Sequence, residues 1–228
     1  MTTNGRPDGP ARGALETDGR RLSYLDHGGP GRILLALHGH FGEGRTFAGL
    51  ARALGPGHRV IALDQRGHGD SDRAEEYSRE GYVADVGALL DHLGLGTVDL
   101  LGHSLGGVNA YQFAARHPGR VRALVVEDVG AEVDGDLSFC LDWPRRAPTR
   151  AALVAGLGGS APHLTDAIRE HPDPGPHDTA SPSGRRTWSS RSARSTACTG
   201  TTGWPAPAPP CSYAAPGAVS SARSTPGP

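Results

Sequence analysis

Gly102-His103-Ser104-Leu105-Gly106 is the stretch of this chain whose residue types and spacing can do chemistry. It lies directly behind an apolar run, Val98 to Leu101, and in front of a helical pattern that carries Val108, Tyr111, Phe113 and Ala114. A serine on a sharp strand-to-helix turn is held with its hydroxyl above the sheet, where it can attack a carbonyl carbon. Gly102 and Gly106 allow the backbone to turn that tightly, and the helix behind aims free amides at a developing negative charge. A second reading is that Ser104 merely caps the helix running from Leu105 to His117, since serine is a favoured N-cap. Capping alone does not call for glycines on both sides of the serine and a third at Gly107.

The 228 residues suffice for one domain with a sizeable core. A formal net charge of -1 gives no reason to expect nucleic acid or an anionic membrane as partner. No apolar stretch approaches a bilayer span, and Met1 to Arg12 is polar, so a soluble cytoplasmic protein acting on a small molecule is expected. The oligomeric state is left open. Cys140, Cys198 and Cys211 have no metal-ligand spacing and are odd in number, so neither a metal site nor a disulfide framework is read from them. Lysine is absent while Arg, Ala, Gly and Pro abound, the usage of a gene rich in G and C.

The elements that must position the serine alternate between strand and helix as far as about Gly158, which predicts a mostly parallel sheet with helices on both faces. Strands are expected at Arg20 to Asp26, Ile33 to Leu37, Arg59 to Leu63, Val98 to Leu101 and Val121 to Val126. Helices are expected at Thr46 to Leu54, Tyr82 to Leu93 and from Leu105 to His117, with two more at Arg150 to Leu157 and Ala161 to His171. The domain reading is a flexible lead over 1–19, a core over 20–136, an insertion over 137–173 whose first part is irregular, and a tail over 174–228. That tail has no Leu, Ile, Phe or Met and a single valine, Val219. So little apolar area cannot offset a backbone entropy cost of about 1–2 kcal/mol per ordered residue, and disorder is expected there.

Four pieces in chain order, from about Leu22 to Asp128, resemble the α/β-hydrolase fold family: Leu37-His38-Gly39-His40-Phe41-Gly42, then Leu63 to Ser71, then Gly102 to Gly107, then Phe113-Ala114-Ala115-Arg116-His117-Pro118. The resemblance implies an α/β fold, here incomplete, and a hydrolase with Ser104 as nucleophile acting on an ester-like carbonyl substrate with no metal or organic cofactor. It implies an oxyanion hole from the backbone NH of His40, with Phe41 the neighbouring candidate, and of Leu105. It makes Asp128, at the end of the strand after the elbow helix, the candidate acid. Arg66-Gly67-His68-Gly69 and His38 are read as bracing turns, and His103 as having no catalytic role. Relatives that open epoxides or carbon–halogen bonds need a carboxylate at the elbow, and serine there speaks against both.

A serine also needs a histidine to take its proton. His163, His171 and His177 follow the elbow helix, and none has the late Gly-His context of the family. The codons of Thr199 to Tyr213, regrouped so that each new triplet starts on an old third base, permit GDHWLASTCPALLV and then RGTRS. That looks like the family's strand and turn that this chain lacks, and the turn after that strand contains no obvious carboxylate, which favours Asp128. The expectation is a change of reading frame between about Pro172 and Arg186. The alternative function is a catalytically inactive fragment or a ligand-binding pseudoenzyme.

Overall fold

A computed structural model of the chain describes residues 9–130, 142–144, 146–160, 168–172 and 186–190. It opens with a hairpin of β1 (Ala11–Thr17) and β2 (Arg20–Asp26), paired antiparallel from Thr17 opposite Arg20 to Ala11 opposite Asp26. Asp18 and Gly19 turn the corner with φ of 49° and 68°, the positive pair that a two-residue hairpin turn demands. Over residues 11–19 this corrects the expectation of a flexible lead; residues 1–8 lie outside the described residues. The strand was hidden because Leu15 is its one large apolar residue, and it faces the core at 5% exposure.

Then follow β3 (Arg32–Leu37), α1 (Ala48–Leu54), β4 (His58–Asp64), α2 (Arg79–His92), β5 (Val98–His103), α3 (Leu105–Arg116) and β6 (Val121–Glu127). The sheet order is β1-β2-β4-β3-β5-β6; β2 meets β4 antiparallel, and β4, β3, β5 and β6 run parallel. The mostly parallel sheet with helices on both faces is therefore present.

In β3, β4 and β5 side chains alternate across the sheet and both faces are covered, as parallel strands require. Leu35, Leu37, Ile61, Leu63 and Leu100 pack under α2 and α3, against Val83, Val86, Leu89, Leu90 and Phe113. Leu34, Ala36, Val60 and Ala62 face the other way, toward Phe47 and α1. The α2 helix begins three residues before the expected Tyr82, because the Ser78 hydroxyl accepts from the Gly81 amide at 3.1 Å and starts the helix on a polar turn.

In the insertion, α4 (Arg150–Leu157) has the expected bounds, capped by the Thr149 hydroxyl, which accepts from the Ala152 amide. Residues 161–167 lie outside the described residues. Ile168–Pro172, whose first four residues were expected to finish a helix, is instead β7 and pairs antiparallel with β8 (Arg186–Ser190). Of the tail over 174–228, β8 alone is described; the rest, with Cys198 and Cys211, lies outside the described residues, as do Cys140, His163 and His177.

Candidate active site at the end of β5

Ser104 sits between β5 and α3 with φ 50° and ψ -116°, the left-handed half of backbone space that a residue with a side chain enters at a cost of about 1–3 kcal/mol. The glycines around it are demanded by contact. A Cβ on Gly102 would lie 2.2 Å from Gly106 O, and one on Gly106 would lie 2.1 Å from Leu37 O, backbone atoms with nowhere to go. The Ser104 amide donates to Glu127 O at 2.9 Å and its carbonyl accepts from the Val108 amide at 3.1 Å. Its hydroxyl makes no capping hydrogen bond to α3. The serine occupies the N-cap position without doing the N-cap's work, so the capping reading loses its physical basis.

The loop after β3 lies against this elbow. A Cβ on Gly39 would lie 3.2 Å from Ser104 Cβ and 2.6 Å from His103 Nδ1, which fixes how near the backbone comes. The Gly42 amide donates to Gly39 O at 3.0 Å, closing a turn with His40 and Phe41 at its centre. Leu105 heads α3, whose first helical hydrogen bond is made by Val108; the amides before it have no acceptor within the helix. His40, Phe41 and Leu105 thus stand on the two backbone segments that flank Ser104. Burial, then the neighbouring His68, push the His40 imidazole down to about 3.

Two further imidazoles, His38 and His68, hold the frame. His38 is fully buried; its Nδ1 bonds Gly39 O at 2.8 Å and its Nε2 accepts from the Gln65 amide at 3.0 Å. Burial, then the adjacent His68, hold it well below the usual imidazole range. His68 is likewise buried and lowered by burial, with Nδ1 2.9 Å from Arg66 O. Among the described residues no hydrogen bond joins an imidazole to the Ser104 hydroxyl.

Asp128, φ 57° and 80% exposed at its side chain, lies 3.6 Å from His103 Nε2 across the ends of β5 and β6. The structure therefore gives the candidate acid an imidazole partner that sequence reasoning passed over. Register explains it: His103 stands opposite Glu127, one residue before Asp128.

Sequence reasoning also missed a polar chain beneath the site. The Gln65 side-chain amide donates to His38 O at 2.6 Å, and that of Asn109 donates to Gln65 Oε1 at 2.6 Å, while Arg79 donates to Asn109 Oδ1. This ties the loop after β3, the turn after β4 and α3 into one unit. The available signal was Asn109, a polar residue on the face of α3 that buries Ala110 and Phe113.

Arg66 is a brace, as expected. Its guanidinium grips Asp85 of α2 at 2.7 and 2.9 Å, both side chains 2% exposed, and donates to Glu76 O at 3.2 Å. On the outer side, the Phe41 ring packs on Trp143 at 4.9 Å, in a cluster with Leu153, Leu157 and Ile168. The insertion thus rests on the same turn that carries His40. Among the described residues no three His, Cys, Asp or Glu side chains gather to hold a metal ion.

Residues 32–162 match the family model of the alpha/beta hydrolase fold. The chain belongs to that family. This α/β-hydrolase is 33% identical over 158 residues to a 2-(acetamidomethylene)succinate hydrolase of Mesorhizobium japonicum, covering 66% of this chain and 57% of that one. It is 34% identical over 169 residues to Lipase LipV of Mycobacterium tuberculosis, covering 70% of this chain and 62% of the lipase. An α/β-hydrolase of Novosphingobium aromaticivorans superposes with a TM-score of 0.65 at 25% identity, over 81% of this chain and 69% of the other. The chain spans less than two thirds of the length of either curated relative.

Proposed function

We propose that this α/β-hydrolase carries a serine acyl-transfer site for an ester-like carbonyl substrate, with Ser104 as nucleophile, the amides of His40 (with Phe41 beside it) and Leu105 as oxyanion donors, and Asp128 as acid. It is a soluble cytoplasmic protein in this reading, acting on a small molecule without metal or organic cofactor. The observation that carries the reading is Ser104 held at φ 50° with a hydroxyl that caps nothing. A side chain kept in that conformation on a helix terminus, and not used to stabilise the helix, is left for a ligand.

Attack by the hydroxyl on the carbonyl carbon moves charge to the carbonyl oxygen, which the flanking amides receive, and each such donor is worth about 10²–10³ in rate. The proton needs an acceptor. Neutral His38 is spent on Gly39 and Gln65, and His103 faces Asp128. That favours the second reading, a chain that binds substrate and turns it over poorly, with about 10³–10⁴ over water from oxyanion stabilisation and binding alone.

Imidazole supplied in solution separates the two. Hydrolysis of p-nitrophenyl acetate by the full chain, corrected for the reaction of imidazole itself, is expected to rise with imidazole concentration and to lose that rise in Ser104→Ala. A rate independent of imidazole and unchanged in Ser104→Ala contradicts the assignment.

A further inference from the structure

Asn109 is a buried amide on a helix face whose other buried residues are apolar or glycine, and its hydrogen bonds run in one direction. Arg79, at the start of α2, has only N–H groups to offer, so the Asn109 oxygen accepts from it. The Asn109 nitrogen is left to donate to Gln65 Oε1 at 2.6 Å, and the Gln65 nitrogen to donate to His38 O at 2.6 Å. A carbonyl at the far end has only lone pairs, so each amide between the guanidinium and that carbonyl is held in a single orientation. Gln65 is 1% exposed and His38 and Asn109 are fully buried, so a reversed amide would meet a like group and not solvent.

The far end of this chain is where the two halves of the site touch. His38 O lies against the first turn of α3, so close that a Cβ on Gly106 would come within 2.7 Å of it. The His38 ring also accepts from the Gln65 backbone amide at 3.0 Å and bonds Gly39 O at 2.8 Å, and His40 follows directly. The segments that carry the amides of His40 and Leu105 therefore meet at one carbonyl, and Gln65 is the side chain that holds it.

We infer that Asn109 is a positioning residue for the oxyanion site: through Gln65 it fixes the His38 carbonyl, and with it the spacing of the His40 and Leu105 amides beside Ser104. The inference rests on the serine reading proposed above. What it needs from Asn109 is the direction of the hydrogen bonds and not the bulk of the side chain. Asn109→Asp exchanges nitrogen for oxygen at the same shape. The new carboxylate keeps the Arg79 bond but has no hydrogen for Gln65, whose amide then turns to donate to it and brings Oε1 against His38 O, acceptor against acceptor. Asn109→Leu removes both bonds, yet leaves Gln65 able to donate to His38 O.

The test measures kcat and KM of the full chain for p-nitrophenyl acetate at fixed imidazole concentration, corrected for imidazole alone, together with urea midpoints. Asn109→Asp is expected to lower kcat about 100-fold with KM unchanged, the cost of donors displaced by about an ångström. Asn109→Leu is expected to lower kcat only about fivefold, although it is the less stable of the two because it strands the polar partners of Asn109. Gln65→Glu puts the same acceptor clash one link nearer the loop; it is expected to match Asn109→Asp and decides the matter if that variant does not fold. Equal losses of kcat in Asn109→Asp and Asn109→Leu, or losses that follow the urea midpoint, overturn the inference. So does a rate that Ser104→Ala abolishes but that neither Asn109→Asp nor Gln65→Glu lowers. A rate that Ser104→Ala leaves unchanged is a different result, since it removes the serine reading and this inference with it.

Discussion

Replacing Asp85 with alanine is expected to destabilise the fold by about 3–5 kcal/mol, read as a fall in the urea midpoint with the slope unchanged. Arg66 and Asp85 are each 2% exposed, and the guanidinium meets both carboxylate oxygens. Removing the carboxylate leaves a buried cation that cannot lose its proton, with the half-exposed Glu76 as its remaining acidic neighbour. A domain of this size has about 5–15 kcal/mol in total, so the loss is a large share of it. The double replacement Arg66→Met with Asp85→Leu removes both charges at similar volume and is expected to lie much closer to the unmodified chain. If it is as unstable as Asp85→Ala, the cost lies in lost packing or in Arg20, which also meets Asp85 at 3.4 Å, and the unpaired Arg66 is not the cause.

Acid is expected to weaken the same region. His38 and His68 are lowered by burial and His40 is brought down to about 3, so all three rings are neutral in the folded chain at neutral pH. The unfolded chain takes up a proton on each near 6.5. The stability from keeping them neutral is therefore complete above about pH 6.5 and is lost as pH falls, until the folded pKa of each ring is reached. His40, brought down to about 3, gives up to about 1.4 kcal/mol per pH unit in that window, and His38 and His68 act in the same direction. Urea melts at about pH 7 and 5.5 measure it, and His38→Gln should make the change smaller. An unchanged midpoint contradicts neutral burial of this cluster.

What could be read from the sequence follows the strength of the local signal. β3, β5, α3 and α4 lie where apolar runs and helical spacing put them, because each buries its face against neighbours that accept only that pattern. β1 escaped because alanine, glycine and arginine fill most of it, and only the Asp18-Gly19 turn betrayed a hairpin.

In the site, Ser104 and the loop at Gly39 were legible because close backbone approach leaves no choice but glycine. The partnership of His38, Gln65 and Asn109 was not. Its links span 27 and 44 residues, and nothing in a linear chain marks which polar side chain closes a bond across the sheet. The contact of Phe41 with Trp143 is of the same kind, a meeting of two loops fixed by the core beneath them.

Reaction of the full chain with a fluorophosphonate in the presence of imidazole, mapped by tandem mass spectrometry, tests the central claim most directly, because the probe needs an exposed serine oxygen, a base to take its proton and donors for its phosphoryl oxygen. The account predicts an adduct on Ser104 alone among the serines, absent in Ser104→Ala while the fold persists by circular dichroism. Labelling spread over other serines, or a folded chain that takes up no probe at Ser104, contradicts it.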